Sequence, residues 1–446
     1  MSSTKKGLDL QWQILIAIIA GITFGIVINM NLGANVTEGP IYAIKTFFAY
    51  GGDIFIRLLK MLIVPLVFAS IYMAIAKIGS PQELGKLGGK TVAYYFLTTA
   101  LAVLIGLIVV NLINPGQGID RTALEALNIT TEVPEAVSNQ GVGERSAVLI
   151  IIDTFVNMIP KNPIESFAKG DILQIIFFAV FLGVVSNLVG RRSESMTAVI
   201  ESLDSMMQKG VMLIMKIAPY AIFMLVAAIF MDLGFAALSA LGKYAGTVIL
   251  GLTIHAVIIL PILVMVLGRY SPIKLAKAVA PALLTAWSTA SSAATLPITM
   301  ANLKNRAGVD GKVSNFVLPL GATINMDGTA LYESVAVIFI AQLLGIDLTL
   351  GQQAIIFITA SLAAVGAAAI PGAGLVTMGI VLTAVGLPLE GIGLILAIDR
   401  ILDQFRTSIN VWGDTTAAVV IGRSENAIDD SISPENPLQT NQITNG

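Results

Sequence analysis

Between Ile398 and Thr415 the chain reads Ile-Asp-Arg-Ile-Leu-Asp-Gln-Phe-Arg-Thr-Ser-Ile-Asn-Val-Trp-Gly-Asp-Thr, within an apolar stretch running from Gly391 to Ile421. Charges in such a setting need partners or a task, because hydrocarbon does not solvate them. Wound as a helix at about 100° per residue, the stretch puts Asp399, Asp403, Arg406, Thr407, Asn410 and Asp414 within an arc of about 100°. Ser408 and Trp412 point elsewhere. The chemistry open to that face is recognition. The planar fork of Arg406 can grip a carboxylate in two places, and Asp403, one turn earlier, can accept from an ammonium. Together they suit a zwitterion with a second carboxylate, an acidic amino acid, better than a neutral one. The competing reading is a buried ion-pair network that only locks helices together.

A second group is Asn325-Met-Asp-Gly-Thr329. Asn and Asp beside glycine in a span invite local unwinding, which frees backbone carbonyls. Carbonyls with carboxylate and amide oxygens suit a hard cation, whereas thiolates and imidazoles would favour transition metals. Asp327 and Asp414 would each supply the anionic ligand for one cation. Tyr95, Thr98 and Thr99 add an oxygen cluster, weak evidence alone because hydroxyls often bond their own helix. Glu333 lies two turns further on in apolar sequence, where desolvation favours the protonated acid. It is the candidate proton carrier; a neutral structural donor is the other reading. Asp399 and Arg400 are expected to pair with Arg406 and Asp403 when no ligand is bound. His255 reads as a satisfied core residue, and Met326 as packing or a soft lid.

The elements that carry these residues must be membrane helices. Of 446 residues, 56% are hydrophobic and 12% charged, the latter about half the share of a soluble domain. The expected fold class is therefore an all-α polytopic membrane protein. With no cysteine and one histidine, disulfides, thiolate sites and multi-histidine metal centres are excluded, and His255, set in the apolar run Leu252 to Leu267, is not placed to serve a triad. No basic patch points to nucleic acid. Trp12 to Met30 follows a polar start with Lys5 and Lys6 and lacks a convincing small-residue cleavage site, so it reads as a retained first span.

Six spans are expected first, at about 12–30, 44–76, 88–113, 148–189, 196–232 and 240–268. Pro65 and Pro219 are candidate kinks, and Pro160, Pro163, Lys169 and Asp171 break 148–189 into several short helices. Lys77, Lys86 and Lys90, then Arg191 and Arg192, then Arg269, Lys274 and Lys277 fall in alternate connections, whereas the loop 114–147 is acidic. The positive-inside rule then puts the N-terminus in the cytoplasm. Asn35-Val-Thr37 and Asn128-Ile-Thr130 match glycosylation acceptors, a match that chance explains better.

After residue 270 the pattern changes. Two short apolar arms, about Ala278–Trp287 and Ala293–Met300, flank Ser288-Thr-Ala-Ser-Ser292. Neither spans a bilayer, so a helical hairpin that enters and returns is expected, its serine tip lining a protein cavity. A ligand α-carboxylate would fall to Asn410 and to the N–H groups at that tip. Val313 to Leu344 follows, interrupted by Gly321-Ala-Thr-Ile-Asn-Met-Asp-Gly-Thr329. The unit then recurs: Gln353 to Val385 breaks at Gly366-Ala-Ala-Ala-Ile-Pro-Gly-Ala-Gly374, and the charged helix follows. Paired interrupted segments of this kind point to a transporter's midplane site within an inverted repeat. The polar tail Arg423–Gly446 reads as disordered.

Thr289–Met300 with its Ser291-Ser292 tip, Asn325-Met-Asp-Gly-Thr329 and Asp403-x-x-Arg-Thr-x-x-Asn-x-x-Gly-Asp414 together resemble the dicarboxylate/amino acid:cation symporter family, which includes excitatory amino acid and archaeal aspartate transporters. The likeness covers nearly the whole chain from Lys60-Met-Leu-Ile-Val-Pro65 onward. It implies eight transmembrane helices plus two re-entrant helical hairpins with inverted repeats, a homotrimer, and a transport domain that slides past a fixed scaffold as an elevator. Scaffold helices 1–2 would occupy residues 1–87 and scaffold helices 4–5 residues 148–235. Helix 3 and the outer loop (88–147) would begin the transport domain, with helix 6 at 236–270 and the transport core at 271–422. A cytoplasmic tail (423–446) would follow, both termini lying inside a multi-pass protein of the cell membrane.

Carried over residue by residue, the resemblance implies substrate contacts at Ser291, Ser292, Met326, Thr329, Ala369, Ile370, Pro371, Gly372, Ala373, Gly374, Asp403, Arg406, Thr407 and Asn410. It implies sodium positions at Gly321, Thr323, Asn325, Asn410 and Asp414, and at Tyr95, Thr98, Thr99, Asn325 and Asp327. A further one would use backbone oxygens of Thr323 and of Val365, Gly366 and Ala367. Relatives for neutral amino acids lack the arginine, and those for C4-dicarboxylates lack the aspartate of position 403; both are present here. At Ala290 archaeal members carry an arginine, whose role Arg400 is placed to take, and Glu333 matches the animal transporters, where it is tied to proton cotransport. The expected function is sodium-coupled uptake of glutamate or aspartate, Na+ and H+ being the candidate ions. A proton-driven glutamate or C4-dicarboxylate carrier without sodium dependence is the alternative. An intramembrane serine hydrolase at Ser291 or Ser292 lacks a general base, and a channel would show permeation without substrate-coupled uptake.

Overall fold

A computed structural model describes residues 10–32, 39–78, 81–117, 156, 158–365 and 373–437. Their regular structure is helical throughout, as a chain whose backbone must satisfy itself in lipid requires. The first helices are α1 (Leu10–Leu32), α2 (Gly39–Ile78) and α3 (Pro81–Ile113). Then come α4 (Pro163–Lys169), α5 (Ile172–Val189), α6 (Glu194–Met215) and α7 (Ala218–Leu233). Next, α8 (Phe235–Ile254) runs through a π turn, His255–Ile259, into α9 (Leu260–Val266). The remainder comprises α10 (Pro272–Thr289), α11 (Ser292–Ala307), α12 (Gly311–Ile324), α13 (Asp327–Leu344), α14 (Leu350–Val365), α15 (Ala373–Ala384) and α16 (Ile392–Ser424). Among the described residues, six helical stretches are long and apolar enough to cross a membrane.

Burial separates centre from periphery. In the most apolar stretch of Gly311–Leu344, 94% of residues are buried within the chain, against 28% in Trp12–Asn31. Thus α13 is the central helix, packed against α3, α8, α14, α15 and α16, while α1 lies on α7 and leaves its other face exposed. In turn α2 packs on α5, α6 and α7. The charged α16, too polar to face hydrocarbon, is enclosed by α8, α10, α12 and α13.

Several sequence expectations change in detail. Segment 196–232 is two helices, because Pro219 falls in the first turn of α7, where its missing N–H costs no bond. The expected kink is therefore a break. Pro65, by contrast, sits inside the continuous α2. The hairpin arms are longer than expected, 18 residues in α10 and 16 in α11. Ala290 turns the chain in a left-handed conformation (φ 48°), and Ser291 caps α11 by accepting from Ala294 N–H. Between α14 and α15, residues 366–372 lie outside the described ones, as do the outer loop 118–155, both glycosylation-like triplets and the lysines at 5 and 6.

The tail departs most from expectation. Rather than being disordered from residue 423, it folds back against the chain, with Ile432 buried. Ile428 pairs with Val309 in an antiparallel bridge, Asp310 N–H donates to Ala427 carbonyl (2.9 Å) and Asp429 N–H to Gly308 carbonyl (2.8 Å). Arg423 grips Asp430 with both nitrogens (2.9 and 2.7 Å), and its guanidinium holds that carboxyl below the usual range. Lys90 on α3 reaches Glu425 at 2.6 Å. Gly308 is required twice: its φ is +74°, and a Cβ there would collide with Asp429 carbonyl. Gly308→Ala should therefore destabilise by at least about 1–2 kcal/mol from the left-handed backbone alone. Gly311→Ala, where a Cβ meets nothing within 4 Å, should not. Thermal unfolding of the detergent-solubilised protein compares the two, and equal midpoints would contradict the strap's role.

Candidate functional site

The break between α12 and α13 is where the chain gives up helical bonds for side-chain chemistry. Asn325 and Met326 leave the helix (φ −111°, ψ 86°; φ −119°, ψ 59°). Asn325 then donates its amide to Asp414 Oδ1 at 3.0 Å, and Asp327 Oδ1 accepts from Thr99 Oγ1 at 2.8 Å and from Thr98 Oγ1 at 3.3 Å. Tyr95, one turn before on α3, donates its hydroxyl to Val317 carbonyl at 2.9 Å. A Cβ on Gly321 would strike both Asp414 Oδ1 and the Tyr95 hydroxyl, so glycine is what lets these three elements meet. Tyr95, Thr98, Thr99, Asn325, Asp327 and Asp414 are all at most 4% exposed. This oxygen-rich cluster holds two carboxylates, and among the described residues neither is paired with a lysine or arginine. Nor do those residues gather three or more His, Cys, Asp or Glu side chains into a metal-ligating group. The donors are carboxylates, amide and hydroxyls, suited to a hard cation of low charge.

A second cluster lies further toward the N-terminal end of α16. Arg406, 1% exposed, places Nη2 2.8 Å from Asp403 Oδ1 and 3.1 Å from Asp399 Oδ1. Its guanidinium carbon stands 3.8 Å from the centre of the Tyr332 ring, and the Tyr332 hydroxyl donates to Asp399 at 2.7 Å. Arg400 Nη1 meets Asp403 Oδ2 at 3.2 Å. Two carboxylates thus balance two guanidiniums, the pairing expected of a ligand-free site. Arg406 is nevertheless incompletely used: Nε and Nη1 have no hydrogen-bond partner. A Cβ on Gly374 would lie 2.7 Å from Nη1, so the start of α15 abuts the unfilled side of the fork.

Asn410 joins the clusters. Its Oδ1 accepts from Gly328 N–H at 2.8 Å, satisfying the first turn of α13, and its Nδ2 donates to Thr329 at 3.3 Å. Ser292, Met326, Thr407, Thr329 and Val365 are buried, and Ser291 is half-buried. Thr323 is exposed, its hydroxyl donating back to Leu320 carbonyl at 2.8 Å. Gly366, Ala367, Ala369, Ile370, Pro371 and Gly372 lie outside the described residues; Ala373 begins α15. Ser408 and Trp412 do point elsewhere, to Leu283 carbonyl (3.3 Å) and Ala256 carbonyl (3.0 Å). Glu333 is fully buried with neither oxygen in a hydrogen bond of good geometry, the Thr377 hydroxyl being its polar neighbour.

Sequence reasoning missed two residues. Tyr332 floors the arginine site, and its only signal was a hydroxyl one position before Glu333 in a polar span. His255, read as core, places Nε2 3.1 Å from Asp327 Oδ2. An imidazole in an apolar span was signal enough to ask for its partner.

Residues 10–424 match the model of the sodium:dicarboxylate symporter family. The chain is 34% identical to the proton/glutamate-aspartate symporter of Escherichia coli, over 94% of each sequence. It is also 34% identical to the proton/sodium-glutamate symport protein of Geobacillus stearothermophilus, over 94% of this chain and 95% of that one. Human excitatory amino acid transporter 3 is similar at 34% identity, over 94% of this chain and 86% of its own.

The two Asp327 hydroxyl contacts differ enough to be ranked. Thr99→Val removes the shorter donor to a buried carboxylate and should cost roughly 1.5–3 kcal/mol. Thr98→Val should cost less, since its hydroxyl is shared with Tyr95 carbonyl and Asn325. Unfolding midpoints of the ligand-free variants should fall in that order.

Proposed function

The chain belongs to the sodium:dicarboxylate symporter family and is a multi-pass membrane transporter rather than an enzyme; from that premise we propose that it takes up L-glutamate or L-aspartate by symport with sodium. The observation that carries the substrate reading is the buried, half-satisfied Arg406 beside Asp403. A side-chain carboxylate would fill the free Nε and Nη1, and an ammonium would take Asp403 as its acceptor. Asn410 and the Ser291-Ser292 tip would receive the α-carboxylate, with Met326, Thr329, Thr407 and the segment Ala369–Gly374 around it.

Charge balance supports the coupling. The arginine cluster is neutral as it stands, two carboxylates against two guanidiniums. An acidic amino acid adds one negative charge beside Asp327 and Asp414, which no lysine or arginine among the described residues offsets. Cations at those carboxylates would balance the excess, and substrate and ion would each raise the other's affinity. Asp414 would work with Gly321, Thr323, Asn325 and Asn410, and Asp327 with Tyr95, Thr98, Thr99 and Asn325; a third position would use Thr323 and Val365–Ala367 backbone oxygens. Eight membrane helices, two re-entrant hairpins in an inverted repeat, a homotrimer and an elevator-like movement of residues 271–422 complete the reading. The second hairpin would be the gate, and both termini would be cytoplasmic.

One observation favours a second reading. Glu333 is a buried acid without a good hydrogen bond, the kind of group on which a transported proton would ride, and one relative's name carries protons alone. Proteoliposomes with a sodium or a proton gradient imposed separately decide between them: sodium alone should drive aspartate uptake. Arg406→Cys should lower acidic substrate binding by at least a hundredfold, and unchanged affinity would remove the substrate assignment. Asp414→Asn should raise the sodium needed for half-maximal uptake while leaving the choice between aspartate and neutral amino acids unaltered.

A further inference from the structure

His255 is fully buried and has no part in the transport chemistry proposed above. It opens the π turn His255–Ile259, which is followed at once by Pro261 in the first turn of α9. Proline has no N–H, so an α-helix through this point must lose a bond. The chain answers by pairing Leu260 N–H with His255 carbonyl, five residues back. In that register Ala256 carbonyl would look to Pro261 nitrogen, which carries no hydrogen. Trp412 on α16 fills the vacancy, its Nε1 donating to Ala256 carbonyl at 3.0 Å. The turn is therefore fixed by the same helix that carries Asp414, and π turns of this kind recur at functional sites.

The ring that the turn presents meets Asp327. His255 Nε2 lies 3.1 Å from Asp327 Oδ2, while Nδ1 has no hydrogen-bond partner. A carboxylate only accepts, so Nε2 is the donor of this contact. Asp327 then has its two oxygens divided: Oδ2 is held by the imidazole, and Oδ1 is turned to Thr98 and Thr99. We propose that His255 is a positioning residue for the cation site at Asp327, an N–H donor that fixes the plane of that carboxylate so that Oδ1 faces the hydroxyls of α3. This rests on the reading that Asp327 ligates a transported sodium ion. Outer donors to metal ligands commonly matter about 10–100-fold in ion affinity, which is more than a remote packing residue would contribute.

The test is L-aspartate binding to the purified, full-length protein across a sodium series at constant ionic strength. His255→Leu, which keeps the volume and removes the donor, should raise the half-saturating sodium concentration about tenfold or more. Aspartate affinity extrapolated to saturating sodium should stay within about twofold, because the arginine cluster is untouched. His255→Asn, which retains an N–H donor, should recover most of the shift; a purely structural histidine would not be rescued in this way. Should His255→Leu fail to fold, Trp412→Phe frees the π turn without touching Asp327 and should raise the sodium requirement several-fold. A wild-type sodium midpoint in His255→Leu, or in Trp412→Phe where that variant stands in, overturns the proposal and leaves the transport reading intact. So does His255→Asn behaving like His255→Leu. Aspartate binding by the wild-type protein that ignores sodium overturns both.

Discussion

A guanidinium enclosed in the middle of a membrane protein is the constraint to which the other features answer. Stripping a cation of water costs several kcal/mol even after relaxation, and mutual attraction repays it only where the geometry is good. Arg406 is met by Asp399 and Asp403 on its own helix and by the face of Tyr332 on α13. Each partner then needs its own support, which Tyr332 gives to Asp399 and Arg400 to Asp403. Removing Arg406 would leave an uncompensated negative charge, and removing Asp403 an uncompensated positive one. The fold therefore fixes the charges mutually, and two nitrogens of the guanidinium, Nε and Nη1, are left without a hydrogen bond.

Two departures from regular helix bracket Asp327, and they arise differently. At Asn325–Met326 the polar residues themselves outcompete the helical bonds, and Asn410 on α16 takes over the freed Gly328 N–H. At His255–Ile259 the helix widens into a π turn just before Pro261, and tryptophan takes up the Ala256 carbonyl. Both repairs come from neighbouring helices, the condition under which broken backbone is tolerated at membrane depth. Because α16 contributes to both, through Asp414 and Trp412, its position and the geometry around Asp327 are linked.

Much of this was legible in the sequence because helical periodicity converts spacing into direction. The arc from Asp399 to Asp414 survives in the folded α16, with Ser408 and Trp412 on other faces. Asn-Met-Asp-Gly marked the break because its side chains compete locally with the backbone. The π turn escaped notice since Pro261 lies six residues beyond His255, and only the partner helix shows which carbonyl is rescued. Tyr332 escaped because a tyrosine in a polar span is equally consistent with packing. The tail was misjudged for a different reason: Asn, Pro and Ser enrichment describes a chain that cannot build a core by itself, but residues 425–437 borrow one from the α11–α12 junction.

That borrowed tail closes a loop. From Gly308 to Asp429 the polypeptide runs through α12 to α16 and returns to its own starting point, tied by a bridge and two backbone bonds. A processive unfoldase that seizes the C-terminal end would meet this knot-like fastening before it could draw on the buried helix behind it. Quality control in the membrane would thus encounter its resistance at the surface, where proteolytic engagement begins, rather than in the core.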